Sequence, residues 1–417
     1  MPSPPAPGRV LYVETSRGGV VGGSLTGLQH LLQGLDRTRY APTIVLYEEK
    51  PQWLAPARLG IPVRVFHKRR RGRRHPLQQV EAYRRLGARP RVARLRRAVW
   101  QLRVFVQETL PSAFALRQLF AEERPDLVHL CIGFRANLDA IVAAWWLGIP
   151  CVCHVKTFAR YGWLDRLFAR TVQVGICMSE ALRAACERNG VRAKRMTVIY
   201  DGIDLDAFRP SRDGAAVRRE LGIPPGVPLV GIVGHIQAWK GQDVVLRALR
   251  LVRDTVPDVH CLVVGGVHRR GSEYARDLHR FVEEHGLTSH VIFTGPRDDV
   301  PDLMTAMDVV IHASVVAEPF GRVVLEGMAA ARAVIATDMG GVPEILKDGV
   351  TGKLVPPDDP QSLAVAIVGL LADADQRRRL GENGRAEVEQ RFSMQRHVRS
   401  VTDVYASLGG TTARREP

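Results

Sequence analysis

Two carboxylates that stand eight residues apart, Glu318 and Glu326, have types and spacing that suit chemistry. Pro319 and Gly321 disfavour a helix through Glu318, which predicts that this acid lies on a loop. The apolar run from Arg322 onward predicts a helix with Glu326 in its early turns, where the helix dipole favours an acid. Backbone N–H groups at such a helix start bind anions, commonly phosphates. The pair also fits a purely structural role, so the surrounding sequence has to decide.

Lys240 offers a positive charge for the same kind of ligand. It lies in the run of residues 233–241, which follows a predicted strand and contains Gly234 and Gly241. A lysine on such a strand-to-helix loop can reach a diphosphate as a point charge. The alternative is an ordinary solvated surface lysine.

Two features of the first half could meet a sugar. Gly22 and Gly23 lie in a glycine-rich loop between a predicted strand and a predicted helix, an arrangement that brings backbone amides close to a phosphate or sugar. His154 ends a predicted strand over residues 151–155, although a lone histidine there also fits a structural role. Cys151 and Cys153 could form a metal site with His154, but alternate residues of a strand face opposite ways, so we expect none.

The order of the elements predicts an α/β protein with two parallel sheets, each covered by helices on both faces. A turn-rich segment over residues 200–210 interrupts the alternation, and it places a boundary between domains 1–205 and 206–392. Residues 393–408 are predicted to form a last helix that packs back on the first domain. Ligands are expected at the carboxyl ends of the strands, in a cleft that the two domains face. The predicted strands cover residues 9–13, 43–47, 63–66, 127–130, 151–155, 174–178, 196–199, 229–233, 260–265, 291–294, 309–312 and 333–336.

The positive charge is concentrated in one segment. Between Arg64 and Arg103 there are 15 Lys or Arg residues and one acid, Glu81, which gives this segment +14 of the total +16. A predicted helical run over residues 92–120 places apolar side chains beside these charges, a combination that suits an anionic membrane surface. A solvated loop with an ordinary core-facing helix is the alternative.

The N-terminus lacks the pattern of a secretion signal, and the six cysteines lie in apolar contexts, so we expect a cytoplasmic protein with buried thiols.

These motifs, in this order, resemble glycosyltransferase family four, retaining enzymes of the GT-B fold. The resemblance covers nearly the whole chain and is strongest over residues 230–357. The matching stretches are the Glu-x7-Glu signature at 318–326, the diphosphate-binding loop at 233–241, the later blocks at 340–344 and 349–352, and the interdomain segment at 201–210.

The resemblance implies a role for each site residue. Glu318 would contact hydroxyls of the donor sugar, and Glu326 would contact the ribose of the nucleotide. Arg297 lies where the family places the base. The diphosphate would be held by Lys240 and by the amides around Phe320, Gly321 and Arg322.

The first domain would carry the acceptor, according to the same resemblance. Gly22 and Gly23 would meet the donor, and His154 would lie near the transferring sugar. These enzymes retain the anomeric configuration, need no metal or other cofactor, and use the departing diphosphate to help deprotonate the acceptor.

The chain departs from the family pattern at two positions. His235 stands where the family usually has Arg, which weakens the expected phosphate clamp and makes it pH-dependent. Asp201 stands where Asn is common, and it is interpreted as a turn variant. Asp204 and Asp206 have the Asp-x-Asp spacing of metal-binding glycosyltransferases, but they lie within the interdomain segment and are interpreted as structural.

The sequence therefore predicts a retaining, metal-independent hexosyltransferase that uses a UDP- or GDP-sugar. A sugar or lipid-linked hydroxyl acceptor from cell-envelope, exopolysaccharide or glycolipid synthesis is expected, with peripheral attachment to the inner membrane face. A non-catalytic nucleotide-sugar or glycan-binding protein of the same fold is the first alternative. A basic nucleic-acid-binding protein is the second, although no RNA-binding motif is present and no nucleic acid partner is expected.

Overall fold

A computed structural model describes residues 7–15, 23–49, 59–68, 90–206, 208, 213–267 and 271–409. The chain folds into two compact units that divide at Ile199 and Tyr200. Described residues up to Ile199, together with those from Val398 onward, form the first unit, and Tyr200–His397 form the second. Gly22 lies outside the described residues, and so does the part of the basic segment that we call the basic run, residues 69–89.

The first unit is built on a seven-stranded sheet with the order β3-β2-β1-β4-β5-β6-β7, in which every neighbouring pair is parallel. Its central strands are continuous apolar runs that are buried along their length, as expected for strands covered on both faces. The strands are β1 (Gly8–Glu14), β2 (Tyr40–Leu46), β3 (Val63–Val65), β4 (Leu127–Leu130), β5 (Cys151–Val155), β6 (Val174–Cys177) and β7 (Arg195–Val198).

The helices of this unit follow the predicted alternation with one difference. The run predicted as a single helix over residues 92–120 is interrupted by a π-helical turn, Phe105–Thr109. Such turns insert an extra residue into the helical ladder and shift the faces on either side. The helices are α1 (Gly23–Gln33), α2 (Pro90–Val104), α3 (Leu110–Glu123), α4 (Leu138–Trp146), α5 (Trp163–Ala169) and α6 (Glu180–Arg188).

The second unit contains a six-stranded parallel sheet with the order β10-β9-β8-β11-β12-β13. Its apolar core packs the strands against helices on both sides. The strand β13 (Lys353–Val355) and a long helix over Ala374–Arg391 were not predicted from the sequence. The other strands are β8 (Leu229–Val233), β9 (His260–Val264), β10 (Val291–Gly295), β11 (Val309–His312) and β12 (Ala333–Thr337).

The helices of the second unit lie between these strands and after them. They are α7 (Gly214–Glu220), α8 (Gln242–Val252), α9 (Ser272–Glu284), α10 (Val300–Ala306), α11 (Arg322–Ala329), α12 (Val342–Ile345), α13 (Pro360–Ala372), α14 (Ala374–Arg391) and α15 (Met394–Gly409). The last of them begins in the second unit and ends in the first.

In each sheet the strand order reverses at one place, between β1 and β4 and between β8 and β11. Loops that leave the carboxyl ends of such neighbouring strands diverge, and the space between them is where open α/β sheets bind ligands.

All six cysteines are buried, as predicted. Within the described part of the chain, no helix has the length and apolar character needed to cross a membrane.

Candidate functional site

The loops after β8 and β11 meet through a direct ion pair. Lys240 ends a short 3-10 turn after β8, and Glu318 lies on the loop after β11. Lysine Nζ lies 2.7 Å from glutamate Oε1, although the two residues are 78 positions apart in sequence. The two strands are neighbours at the reversal of the strand order. The structure thus brings together two of the predicted site residues at the place where the fold favours a ligand.

Glu318 accepts two further hydrogen bonds on the same oxygen. His312 Nε2 lies 3.0 Å from Oε1, and Ser314 Oγ donates to Oε1 at 2.5 Å. Burial by itself raises the pKa of Glu318, but the hydrogen bond and charge of His312, followed by those of Lys240, outweigh it and lower the pKa well below its usual range. The carboxylate is therefore ionised at any physiological pH. No other described residue donates to its second oxygen, Oε2.

Two glycines make room for the backbone of this loop. A Cβ on Gly340 would lie 2.2 Å from the carbonyl oxygen of Glu318, and one on Gly341 would lie 2.4 Å from that of Pro319. Gly340 also has φ of +66°, a left-handed conformation that favours glycine. The N–H of Gly341 donates to the Glu318 carbonyl at 2.9 Å. The turn that contains Gly340 and Gly341 therefore supports the loop that carries Glu318.

Helix α11 carries the second carboxylate of the pair. Gly321, with φ of +105°, precedes the helix and offers no side chain to cap its first amides. Glu326 lies one turn into the helix and accepts from Arg322 Nε at 2.9 Å. Burial raises the pKa of Glu326, against the opposing charge of Arg322. Glu326 therefore differs from Glu318 in both its partner and its electrostatic state.

Sequence reasoning missed part of this environment. His312 and Ser314 were not singled out, although the run His-Ala-Ser joins β11 to the Glu318 loop and could have indicated them. Asp201, interpreted as a turn variant, is buried and lies 3.7 Å from Arg322 Nη1, so it contributes charge to the same helix start.

The other residues predicted to bind the sugar donor have varied surroundings. Arg297 is held by Asp299 through two hydrogen bonds and by Glu220 at 3.0 Å, and these partners raise its pKa. His235 is exposed, and its carbonyl accepts from Gln242 Nε2 at 3.0 Å. The ring of Phe320 is buried 6.1 Å from that of Tyr200 and from that of Phe392, so only its backbone is available for an anion.

The two predicted residues of the first unit that the structure describes are Gly23 and His154. Gly23 begins helix α1. His154 lies in β5, is buried, and its ring centroid is 5.6 Å from that of His129. His129 in turn shares a hydrogen bond of 2.6 Å between Nδ1 and the hydroxyl of Tyr405. Across the described residues, no group of three or more His, Cys, Asp or Glu side chains could hold a metal ion.

Comparison with known sequence families gives two matches in tandem. Residues 54–207 match the family described as Glycosyltransferase Family 4, and residues 214–387 match Glycosyl transferases group 1. The curated relatives include D-inositol 3-phosphate glycosyltransferases from Nocardia farcinica (36% identical, 52% of this chain and 47% of the relative) and Corynebacterium urealyticum (34% identical, 51% of each). The chain thus spans about half the length of these curated relatives.

Solved structures match nearly the whole chain. HepE from Anabaena in complex with UDP-glucose is 26% identical, with a TM-score of 0.78 over 96% of this chain and 99% of that one. A glycosyltransferase from Rickettsia africae has a TM-score of 0.79 over 96% of this chain and 98% of that one at 19% identity, which supports the fold alone. Two tandem family matches, two parallel Rossmann-like sheets and this structural likeness lead to one conclusion. The chain belongs to glycosyltransferase family 4 and has the GT-B fold.

Proposed function

We propose that the protein is a retaining glycosyltransferase that moves a hexose from a nucleotide diphosphate to a hydroxyl acceptor. The observation that carries the proposal is the Lys240–Glu318 ion pair of 2.7 Å at the reversal of the second sheet. It places a cation suited to phosphate beside a carboxylate suited to sugar hydroxyls. HepE, which is 25–26% identical over 96% of this chain, was crystallised with UDP, with UDP and glucose, and with UDP-glucose. A UDP-sugar is therefore the first donor to test.

Glu318 performs a binding role in this mechanism. Its Oε1 is occupied by three donors, so Oε2 is the oxygen that accepts hydroxyl groups of the donor sugar. Because its pKa is lowered, it remains a charged acceptor and is not a general acid at neutral pH. The fixed charge also orients the sugar, so that the acceptor approaches a defined face.

Lys240 changes partner when the donor binds. In the structure it neutralises Glu318, and a diphosphate with its larger negative charge competes for the same ammonium group. The amides at Phe320, Gly321 and Arg322 begin an eight-residue helix without a side-chain cap, which suits the remaining phosphate oxygens. Glu326 holds the ribose, with Arg322 fixing its orientation.

Leaving-group stabilisation by these positive groups supplies the chemistry. The departing diphosphate carries the charge that develops as the glycosidic bond breaks, and Lys240 and the helix amides stabilise that charge. The diphosphate then accepts the proton of the attacking hydroxyl on the same face, which retains the anomeric configuration. Neither a metal nor another cofactor takes part in the proposed reaction. His235, in place of the family's Arg, adds positive charge to the clamp only when protonated.

The acceptor belongs to the first unit in this proposal, with Gly22, Gly23 and His154 near the transferring sugar. A lipid-linked or sugar acceptor of cell-envelope synthesis is proposed, at the cytoplasmic face of the membrane. D-inositol 3-phosphate, named for the curated relatives, is the soluble acceptor to test beside it. Peripheral attachment through the segment from Arg64 to Arg103 is part of the proposal.

Turnover on a panel of UDP- and GDP-sugars tests the function. We expect donor hydrolysis or transfer by the wild-type protein, and a loss of at least about 100-fold in kcat/KM for Glu318→Ala, because several transition-state contacts disappear with the carboxylate. Glu382→Ala removes an exposed acid of the same unit and serves as the matched control. The anomeric proton of the product, followed by NMR during the reaction, reports retention or inversion.

Three outcomes would contradict all or part of the proposal. Nucleotide-sugar binding without turnover across the panel would support a binding protein of the same fold. Full activity in Glu318→Ala would show that the ion pair is structural. An inverted product would refute the retaining mechanism alone.

A further inference from the structure

The first unit exposes large apolar side chains on three neighbouring elements. They lie on α2 and the π-helical turn that follows it, on α4 and on α5, and each of them is 42–59% exposed. Monomeric proteins rarely leave a contiguous apolar patch larger than a few hundred Å² in water, and such patches mark interaction sites. We call this set the aromatic face; its members are Val99, Leu102, Val106, Trp145, Trp163 and Leu167.

Helical spacing places some of these side chains in a line along one side of an element, which we call a stripe. Positions separated by three, four and seven residues share one side of a helix. On α5 and its C-cap this spacing joins Trp163, Arg166, Leu167 and Arg170, all of them exposed. On α2 the same spacing joins Val99, Leu102 and Arg103, and Val106 follows on the π-helical turn; all four are exposed. Each stripe therefore combines apolar and cationic side chains on one surface.

Contacts beneath the surface hold the stripes side by side. Phe105 of the π-helical turn stacks on Phe168 of α5, with 5.5 Å between ring centroids. The Phe168 ring also packs edge-on against Trp145 at 5.9 Å. Gln101 of α2 accepts from the backbone N–H of Trp163 at 3.3 Å. The aromatic face is thus one continuous surface on elements that are packed together.

The charge of this surface is positive. Arg103, Arg166 and Arg170 are exposed. Of the acids on the same elements, Asp165 is buried and accepts from the N–H of Gly162 at 2.7 Å. Asp139 is buried and paired with Lys68 at 2.6 Å.

Among the described residues of these elements, Glu108 is the one acid left, and it is half-buried. The acids therefore neutralise little of the arginine charge at the surface.

We propose that the aromatic face docks on an anionic lipid bilayer, with Trp145, Trp163 and Leu167 entering the interface between headgroups and acyl chains. Tryptophan and arginine are suited to this depth, since the indole has an apolar body and a polar N–H and the guanidinium pairs with phosphate. A second copy of the chain is disfavoured as the partner because a symmetric contact would set the arginines against one another. The aromatic face shares Val99 and Leu102 with the segment Arg64–Arg103, so this inference rests on the membrane attachment proposed above and extends it to α4 and α5. It does not depend on the proposed reaction.

Co-sedimentation of the full-length protein with vesicles tests the docking surface. Vesicles of equal phosphatidylglycerol and phosphatidylcholine are compared with pure phosphatidylcholine. We expect the wild type to pellet with the anionic vesicles, and Trp163→Ser with Leu167→Gln to lower the partition coefficient at least about ten-fold. Arg103→Gln and Arg170→Gln should each lower it about five-fold, the effect of one charge near such a surface.

Val350→Gln with Val365→Gln is the control, because these residues are also apolar and at least as exposed but belong to the second unit. Its partition should equal that of the wild type. Thermal unfolding verifies that each variant is folded, and Trp145→Ser provides an independent change on a different helix. Turnover of a soluble donor is measured in parallel, so a failure of docking is distinguished from a failure of the proposed reaction.

Three results would overturn the inference. The first is a wild-type protein that stays in the supernatant with both kinds of vesicle. The second is unchanged pelleting of the Trp163 and Leu167 variant, which would leave the basic run as the attachment site. The third is a wild-type dimer in sedimentation velocity that the same variant dissociates, which would make the face a contact between copies.

Discussion

The two carboxylates of the signature differ most clearly at the scale of single residues. Glu318 accepts hydrogen bonds from three side chains. Its pKa is lowered because the charges and hydrogen bonds of His312 and Lys240 outweigh burial. Glu326 accepts a hydrogen bond from Arg322, and its pKa is raised because burial outweighs that partner. A general acid and base couple would need one group to change protonation near neutral pH. Neither shift makes such a couple, and the two carboxylates instead suit the separate binding roles proposed for them.

Glu326→Gln should stabilise the protein at neutral pH. A raised pKa means that the ionised side chain costs free energy in the folded state, and the amide removes that cost while keeping the shape. We expect the Tm to rise by about 2–4 °C at pH 7.5, which corresponds to ~1 kcal/mol for a domain of this size. The gain should shrink as the pH falls through the raised pKa of Glu326 toward the usual value near 4.3, because the wild-type carboxyl then becomes neutral as well.

Thermal unfolding of both proteins between pH 4 and 8 measures this effect, with Glu382→Gln as an exposed control. The same variant should increase the KM for the donor, since the amide is a weaker acceptor for a ribose hydroxyl. A lower Tm at pH 7.5 would show that the pair with Arg322 outweighs the cost of burial.

At the scale of elements, a glycine turn supports the loop that carries Glu318. The turn before α12 approaches the Glu318 loop so closely that a single methyl group would overlap its backbone. The sequence showed a family block at 340–344 and predicted a loop at Glu318, because both signals are local. It did not predict that the first supports the second, because that contact depends on how β11 and β12 pair.

Gly340→Ala and Gly349→Ala separate backbone strain from this overlap. Both glycines are left-handed, with φ of +66° and +69°. A Cβ at Gly349 meets open space, whereas one at Gly340 lies 2.2 Å from the Glu318 carbonyl oxygen. We expect Gly349→Ala to cost roughly 1–2 kcal/mol of unfolding free energy and to leave turnover intact.

Gly340→Ala should cost about 1–3 kcal/mol more, as overpacking does, and should lower kcat/KM at least ten-fold. Urea unfolding and donor turnover provide the two measurements. Equal losses in both variants would indicate that strain alone matters and that the loop has room to move.

At the scale of the whole molecule, the last helix completes the first unit. Tyr405 is buried there, and its hydroxyl lies 2.6 Å from His129 Nδ1 and donates to the hydroxyl of Tyr12 at 3.2 Å. These partners lie on β4 and β1, at the reversal of the first sheet. A hydrogen bond across 276 residues has no local signature, so sequence patterns give no indication of it.

Tyr405→Phe should loosen the first unit and leave the second unchanged. Removing the hydroxyl leaves a buried imidazole nitrogen without its partner, at a cost of about 1–3 kcal/mol. Tyr274→Phe is the reciprocal control, because the Tyr274 hydroxyl donates to Asp243 at 2.7 Å within the second unit. Hydrogen exchange should accelerate in β1 and β4 for the first variant and in β8 and β9 for the second. Acceleration of both units by either change would show that they unfold as one.

The sequence by itself determined most of the element types, the parallel sheets and the family, because apolar periodicity, glycine turns and signature spacing are local properties. It gave no signal for β13, for α14 or for the π-helical turn. The tertiary structure decided which residues share a site. It joined Lys240 to Glu318 through the pairing of β8 with β11, added His312 and Ser314, and surrounded Arg297 with carboxylates. These contacts depend on strand order and on side-chain direction at the strand ends, and neither is specified by the pattern within one segment.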